Sequence, residues 1–346
     1  MLNTRRNELY NGNDVVNSND LRKRIVNVDS QFRAALQDST SNFQYRFEHP
    51  YKNVIRMRIA SIEIPNVWYE FSSINYHNTS FTISAYDISN NLHTANILIA
   101  DGNYTQATLL AAIQTQLNTL INTPYGIFLS ISGDPISNRC TILHSGVAPI
   151  GAPAPTATAR PFLVDFRVPA LARQPTEWGL GYNLGYRLTY YTVNHVYDTS
   201  GGITRYSLTS ESLIDTLMTN YVFLGVNDYH TVEQQNTHGL SQALAKVIVR
   251  EPKNSVIFDD GRNLLSNDII FPSPVDLKVV QVKVTDPFGN VIDMNGINFS
   301  FSMEITEVTN TKLYEFYRNY IWLGTLPSLP TNVTGSGVGL LGGKGP

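Results

Sequence analysis

Charge is scarce in this chain of 346 residues: Asp, Glu, Lys and Arg make up 15%, against roughly 25% in ordinary soluble chains. Cysteine is scarcer still. Cys140 stands alone, which excludes an intrachain disulfide and a cysteine-built zinc site. No run of about 18 apolar residues occurs, so no membrane-spanning helix is read. The first residues, MLNTRRNELYNGNDVVN, hold no apolar core of the kind a secretory signal needs. Net charge is −3, with no basic excess to attract nucleic acid. These features fit synthesis in a cytosolic compartment.

What takes the place of charge is aromatic and β-forming. Hydrophobic residues reach 42%, and Tyr (19) and Phe (15) are abundant among many Asn, Ser and Thr. Such a balance suits strands and polar loops better than solvated helices. The length allows one large all-β domain or two smaller ones.

The hydrophobic pattern places the elements. Residues 1–24 have no apolar period and read as an extended arm, whose Leu21-Arg22-Lys23-Arg24 is a solvated patch or, less readily, an anion or nuclear-import signal. Phe43–Glu48 and Val54–Ile64 alternate apolar and polar residues, so each reads as a half-buried strand, with Pro50 and Pro65 bounding the second. Ser80–Tyr86 and His93–Ala100, joined by Asp87-Ile-Ser-Asn-Asn, read as a hairpin. Thr105 is a helix N-cap. Leu109, Leu110, Ile113, Leu117, Leu120 and Ile121 follow at helical spacing, predicting one amphipathic helix over about 105–121 that ends at Asn122 and Pro124. Further strands are predicted at Ile127–Ile131, Arg139–Leu143, Tyr221–Val226, Leu244–Arg250, Leu277–Val284 and Ile297–Ile305, with Asn227–His238 as a long polar loop. These elements predict a jelly-roll type β-sandwich with an inserted or appended β-rich region. The expected organisation is an arm (1–24), a first β-rich part with the helix (25–145), a Pro/Ala-rich loop (146–160), a second β-rich part completing the sandwich (161–325) and a Gly-rich tail (326–346).

Reaction chemistry finds little footing. The seven histidines form no HxH, HExxH or HxxxH pattern, and His230 and His238 around Glu233 read as a solvated loop rather than a metal site. No GxSxG elbow is present. Cys140 sits inside an alternating apolar run, as a small buried hydrophobe does. Gly179, Gly181 and Gly185 lack the strand–turn–helix context of a dinucleotide loop and read as tight turns. Asp259-Asp260 and Asp286 sit in turn sequences. No catalytic residue, metal ligand or cofactor is therefore assigned, and the chain is read as no enzyme.

Two collinear sets of residues carry a resemblance. The first is Arg24-Ile-Val-Asn-Val-Asp-Ser-Gln-Phe-Arg, then Ser41-Asn-Phe, Pro50, Asn53-Val, Met57, Ser61, Ile64-Pro-Asn and Tyr69. The second is Trp178, Tyr182-Asn-Leu-Gly-Tyr, Tyr221-Val-Phe-Leu, Pro274-Val-Asp-Leu, Asp286-Pro-Phe-Gly-Asn-Val-Ile-Asp and Asn298-Phe-Ser-Phe, with Gly102-Asn-Tyr-Thr between the sets. Over roughly residues 24–310 the pattern resembles the penton and minor capsid structural proteins of nucleocytoplasmic large DNA viruses, which are giant icosahedral viruses. The resemblance implies a virion structural protein of the capsid, made in the host cytoplasm. Its partners would be the major capsid protein and other minor capsid proteins. A penton would form a homopentamer closing the five-fold vertices; a minor capsid protein would bridge or underlie capsomers. The chain is too short for the two jelly rolls of a major capsid protein. Trp178, Tyr182, Tyr186 and Trp322 are the candidate interface anchors, since aromatics dominate interface hot spots, although each ring singly reads more readily as core. A β-sandwich module binding carbohydrate or a receptor, with Tyr229 and His230 in its platform, is the reading from another class.

Overall fold

The computed structural model describes residues 21–168, 179–236, 239–261 and 266–311. In chain order its strands are β1 (Leu21–Asp29), β2 (Asn42–Pro65), β3 (Ser80–Tyr86), β4 (Leu92–Leu98), β5 (Ile127–Gly133), β6 (Arg139–Val147), β7 (Phe162–Asp165), β8 (Tyr190–Val193), β9 (Val196–Ser200), β10 (Ile203–Leu213), β11 (Tyr221–Val226), β12 (Val232–Asn236), β13 (Gly239–Ala243), β14 (Ala245–Ile248), β15 (Val256–Asp259), β16 (Ile269–Thr285) and β17 (Ser300–Val308). Helix α1 spans Gln106–Leu117. All named pairings are antiparallel. The fold is all-β and jelly-roll-like, as the sequence pattern predicts.

One curled seven-stranded sheet runs β1-β17-β2-β16-β11-β14, with β15 also on β2. It curls because the two halves of β2 pair differently. The second half of β2 pairs with β17 and β15, and its first half pairs with the second half of β16. Register shifts between Ile270 and Val279 mark the bend, where Asn53 takes a positive φ of 56°. Pro50 therefore does not bound a strand, as expected, but lies inside β2. The irregular ladder there excuses its missing donor.

A second irregularity sets which side chains face inward. Ser302 pairs with Ser61 but Met303 pairs with Ile59, so Ala60 is an extra residue. Met57 and Ile59 point into the core before it, Ile62 and Ile64 after it. A one-residue slip would otherwise have turned the last two outward.

The remaining strands surround a separate core. Residues of β3–β8 and α1 bury Phe81, Ile83, Ile113, Leu117, Ile142, Phe162, Phe166 and Tyr186 together. This lobe is built from the chain between β2 and β11 as two four-stranded sheets, β4-β3-β7-β8 and β5-β6-β10-β9. The Pro/Ala-rich segment 146–160 runs from the end of β6 toward β7. That segment links β6 to β7 within one core, burying Ala148 and Ala159 while Val147 and Ala157 exchange backbone hydrogen bonds of 3.1 and 2.9 Å. Strands β7–β10 pair within the inserted lobe, β11 and β14–β17 belong to the seven-stranded sheet, and β12 and β13 form a hairpin of their own.

Three further expectations change. Residues 21–24 belong to β1 rather than to an arm, and Lys23 and Arg24 meet Glu304 and Glu307 of β17 at 3.1 and 2.7 Å. The polar stretch after Asn227 contains the β12–β13 hairpin. Helix α1 starts at Thr105 as predicted, through a reciprocal cap with Thr108. It then runs past Asn122 through a wide turn (Asn118–Asn122) and Thr123–Tyr125, in which the Thr123 amide bonds back to Asn118. The widened turn accommodates Pro124. Gly126, at φ 63°, ends the helix, because a Cβ there would lie 2.0 Å from the Ala148 carbonyl oxygen.

Helix α1 also seals an edge. Gln114 accepts from the Ile131 amide (2.9 Å) and donates to the Leu129 carbonyl (3.2 Å), while Asn122 exchanges bonds of 3.1 and 2.7 Å with Leu129. Two side-chain amides thus stand where a further strand would pair with β5.

The topology is polar. Leu21 pairs with Val308, so the segments before β1 and after β17 leave side by side at the end where β2 bends. Pro65, Asp29, Ser300, Thr285 and Tyr221 lie at the other end, and the inserted lobe is attached there.

Candidate functional site

At the lobe-bearing end the connection after β2 runs Val67-Trp-Tyr-Glu-Phe, which places a carboxylate in an apolar run. Glu70 is 2% exposed. Its Oε1 accepts from Trp68 Nε1 (3.1 Å) and from Lys253 Nζ (2.7 Å). Its Oε2 accepts from the Thr219 amide (3.1 Å) and hydroxyl (2.8 Å). Lys253 also donates to the Trp68 carbonyl (3.0 Å) and lies over the indole ring, 4.5 Å from its centroid. Burial holds the Lys253 ammonium below its ordinary pKa against the opposing pull of Glu70. A buried carboxylate survives only when its charge and lone pairs are matched, and all four partners here do that. The network joins both connections of the inserted lobe, through Glu70 and Thr219, to the loop before β15, through Lys253.

Neighbouring contacts extend it. Asn78, fully buried, donates to the Glu70 carbonyl and to Asn183 and accepts from the Ser72 amide. Tyr76 is buried nearby, and desolvation followed by the charges of Asp286 and Glu70 drives its hydroxyl far above the usual range. Asp286 caps its own turn, accepting from the Phe288 and Asn290 amides, and burial raises its carboxyl pKa. A cleft of about 160 Å³ opens beside this network between Trp68, Ser72, Tyr76, Asp101 and Asn295.

The same end presents apolar side chains on a fastened loop. Arg33 donates to the carbonyls of Ser30, Leu36 and Asp38 and to Asn298 Oδ1. These bonds hold the loop between β1 and β2 while Phe32 and Leu36 stand 66% and 71% exposed, and Ile297, next in sequence to Asn298, is exposed as well. Exposed apolar groups on a pre-ordered loop lose little entropy when they dock against a partner. A shallow groove of about 420 Å³ lies between Arg33, Gln37, Thr40, Ile292 and Asp293. The inserted lobe adds a surface without lysine, because none occurs between Lys52 and Lys246. Lysine is the charge that interface cores exclude.

Of the four predicted anchors, Tyr182 and Tyr186 lie among the described residues. Tyr186 is 1% exposed, stacked on Phe166 at 4.9 Å, with its hydroxyl on the Leu208 carbonyl at 3.1 Å. It is a core ring with no free surface. Tyr182 is half-buried under the Arg187 guanidinium, 4.2 Å from its centroid. Trp178 and Trp322 lie outside the described residues.

Gly181 and Gly185 serve close packing. A Cβ on Gly181 would lie 2.4 Å from Phe166, and one on Gly185 2.2 Å from the Ser212 carbonyl oxygen. Cys140 is fully buried, and desolvation raises its thiol pKa to about 12. His230 and Glu233 approach to 3.4 Å. Among the described residues no group of three or more His, Cys, Asp and Glu side chains converges. Tyr229 packs against Phe271, so it does not form an open platform with His230.

Sequence reasoning missed Glu70, Lys253, Phe32 and Leu36. The one local signal was a glutamate inside Val67–Phe71, since an acid in an apolar run implies a buried partner.

The fold and this surface define an all-β sandwich carrying a lobe at one end. No protein-family model matches the sequence, and no curated protein matches it. Among solved structures the chain is similar to the crystal structure of the mavirus penton protein, determined with selenomethionine. Identity is 7%, the match covers 82% of this chain and 99% of that one, and the TM-score is 0.42. A likeness at that level defines no family.

Proposed function

We propose that the chain is a virion structural protein of a large icosahedral DNA virus, and that it is the penton closing the five-fold vertices. The polarity of the molecule carries this reading. Both terminal segments leave one end of a rigid sandwich, where they would tie the subunit into a shell. A lobe of low charge and the fastened Phe32–Leu36 loop stand at the other end. The collinear motif resemblance supports the same class. In a ring of five, one face of each subunit meets a different face of the next, and five-fold rotation closes the contact. Five distinct neighbours are not needed; one heterologous pair of surfaces suffices.

Copy number per virion tests the proposal, measured by quantitative mass spectrometry against the major capsid protein. Twelve vertices with five subunits each give about 60 copies under closed icosahedral symmetry. Several hundred copies would make the chain a minor capsid protein tying capsomers together. Absence from the virion would overturn the capsid reading, and saturable binding on a glycan array would then favour the carbohydrate module.

A further inference from the structure

Beside the second half of β2 the large sheet is four strands wide, in the order β1-β17-β2-β15. Among the described residues no strand pairs with the outer edge of β1 or of β15. The direction of the backbone groups on each edge follows from one bond. The Ser30 amide donates to the Phe299 carbonyl, so even-numbered residues of β1 bond toward β17, and the N–H and C=O of Lys23, Ile25 and Asn27 point away from the sheet. The Asn66 amide donates to the Ser255 carbonyl, so Ile257 and Asp259 face β2, and the groups of Val256 and Phe258 point away. Side chains follow the same alternation. Ile25, Val256 and Phe258 are 74%, 56% and 64% exposed on the outer face, while Val26 and Ile257 are buried in the sandwich core. β15 contains neither the lysine nor the proline that keeps an open edge from pairing.

We propose that the two edges pair with each other between copies of the chain, β15 of one subunit running antiparallel to β1 of the next with Phe258 opposite Ile25. β1 and β15 run in opposite directions within one copy, so a sheet continued from copy to copy stays antiparallel. Three conditions are met at once in this register. The outward backbone groups of Ile25 and Asn27 meet those of Phe258 and Val256. The exposed Ile25 and Phe258 share the outer face, and the buried Val26 and Ile257 share the core side. Asp259 stands opposite Arg24 and Asp260 opposite Lys23, so acids meet bases. A shift of two residues is the smallest that keeps the faces. It sets Phe258 against Asn27 or Lys23, and Asp260 against Ile25 or Leu21. Within one copy Phe258 is level with Asp29, through Glu63 and Ser300. The neighbour is therefore staggered by four residues, about 13 Å. The strands of a ring built this way tilt from its axis, as staggered barrel strands do. The pairing supplies the heterologous contact of the ring proposed above, and only its closure at five rests on that reading.

Cysteine trapping tests it in the full-length chain, where buried Cys140 does not compete. Ile25→Cys and Phe258→Cys are made in separate chains, mixed, oxidised mildly and followed on non-reducing gels. Both side chains are exposed, so these variants keep the fold. The control is Ile25→Cys mixed with Ile136→Cys, an exposed position between β5 and β6. The Ile25–Phe258 mixture is expected to link into dimers about fivefold faster than the control or either variant alone, because disulfide geometry is exacting. Phe258→Cys linking to itself as fast as the mixture would overturn the proposal by showing a two-fold contact. A rate equal to the control, or no link, would overturn it outright. Asp260→Lys added to the Phe258→Cys chain is expected to slow the mixed link, and an unchanged rate would overturn the register. A chain carrying both cysteines separates the edge pairing from the five-fold reading. Links that close at the mass of five chains support both, whereas closure at another number, or an open ladder, supports the pairing and overturns the vertex.

Discussion

Glu70 and Lys253 meet at 2.7 Å inside the junction between sandwich and lobe, where Glu70 is 3% and Lys253 20% exposed in their side chains. Ion pairs on protein surfaces contribute little, but breaking one that is buried leaves a charge with no counterpart. Lys253→Met is therefore expected to cost about 3 kcal/mol by urea denaturation. Adding Glu70→Gln should recover more than half of that loss, because the amide carbonyl still accepts from Thr219. If the double variant is no more stable than Lys253→Met alone, the buried charge is not the source of the cost.

His144 gives the protein an acid-sensitive slope. The ring is fully buried, with Nδ1 on the Arg160 carbonyl at 3.1 Å and Nε2 without a partner. Desolvation pushes its pKa from 6.5 down to about 4. The unfolded chain therefore binds the proton first, and stability is complete above pH 6.5 and declines as pH falls toward 4. The full loss is about 3 kcal/mol. Asp286, with its raised carboxyl pKa, acts in the opposite sense near its own titration. His144→Phe should flatten the stability profile between pH 6.5 and 4 whatever its effect at neutral pH. An unchanged slope in that variant would remove His144 as its origin.

The glycines separate by what surrounds them. Gly181→Ala and Gly185→Ala force a Cβ onto Phe166 and the Ser212 carbonyl, and each should cost about 2–4 kcal/mol. Gly201→Ala meets nothing within 4 Å and should cost about 1 kcal/mol for its positive φ alone. Thermal unfolding of the three variants under one condition gives the ranking.

The edge of β5 rests on two side chains of the helical segment. Gln114→Leu leaves the Ile131 amide and one bond of the Leu129 carbonyl unmet, and a cost of about 1–3 kcal/mol is expected. Amide exchange at Ile131 should accelerate in that variant while β3 is unaffected. Acceleration spread evenly through the lobe would indicate global destabilisation instead.

The fastened loop predicts a variant that folds but does not assemble. Phe32→Ser with Leu36→Ser touches exposed side chains, so stability should stay within about 0.5 kcal/mol. Incorporation into virions should fall sharply if these residues make contacts in the shell. Normal incorporation would place the contacts elsewhere.

Local pattern made much of this fold legible. Runs of β-forming residues between turn signals located β3, β4, β11 and β17, and capping chemistry located the start of α1 at Thr105. What alternation does not encode is membership of a core. The runs in β7 and β11 look alike, yet one packs with Phe166 and the other with Val282. That choice depends on pairing between distant segments. β10 escaped because Thr, Arg, Tyr and Ser alternate in it with little apolar contrast. The candidate site was least legible. Glu70 and Lys253 are far apart in sequence and neither forms a motif, while Tyr186 was visible as an aromatic but not as a buried one.

The pairing of the first described strand with the last orders the birth of the molecule. Lys23 and its partner Glu304 are 281 residues apart. During synthesis β1 leaves the ribosome early and waits for β17, whereas the inserted lobe has its whole core within one uninterrupted stretch of chain. The lobe can finish folding while the sandwich that carries it is still an open sheet. A nascent chain stalled before Ser300 should hold a protease-resistant lobe beside a β1 that is still cut. The basic residues Arg22, Lys23 and Arg24 would discourage that waiting edge from pairing with another chain until Glu304 and Glu307, which meet Lys23 and Arg24, arrive.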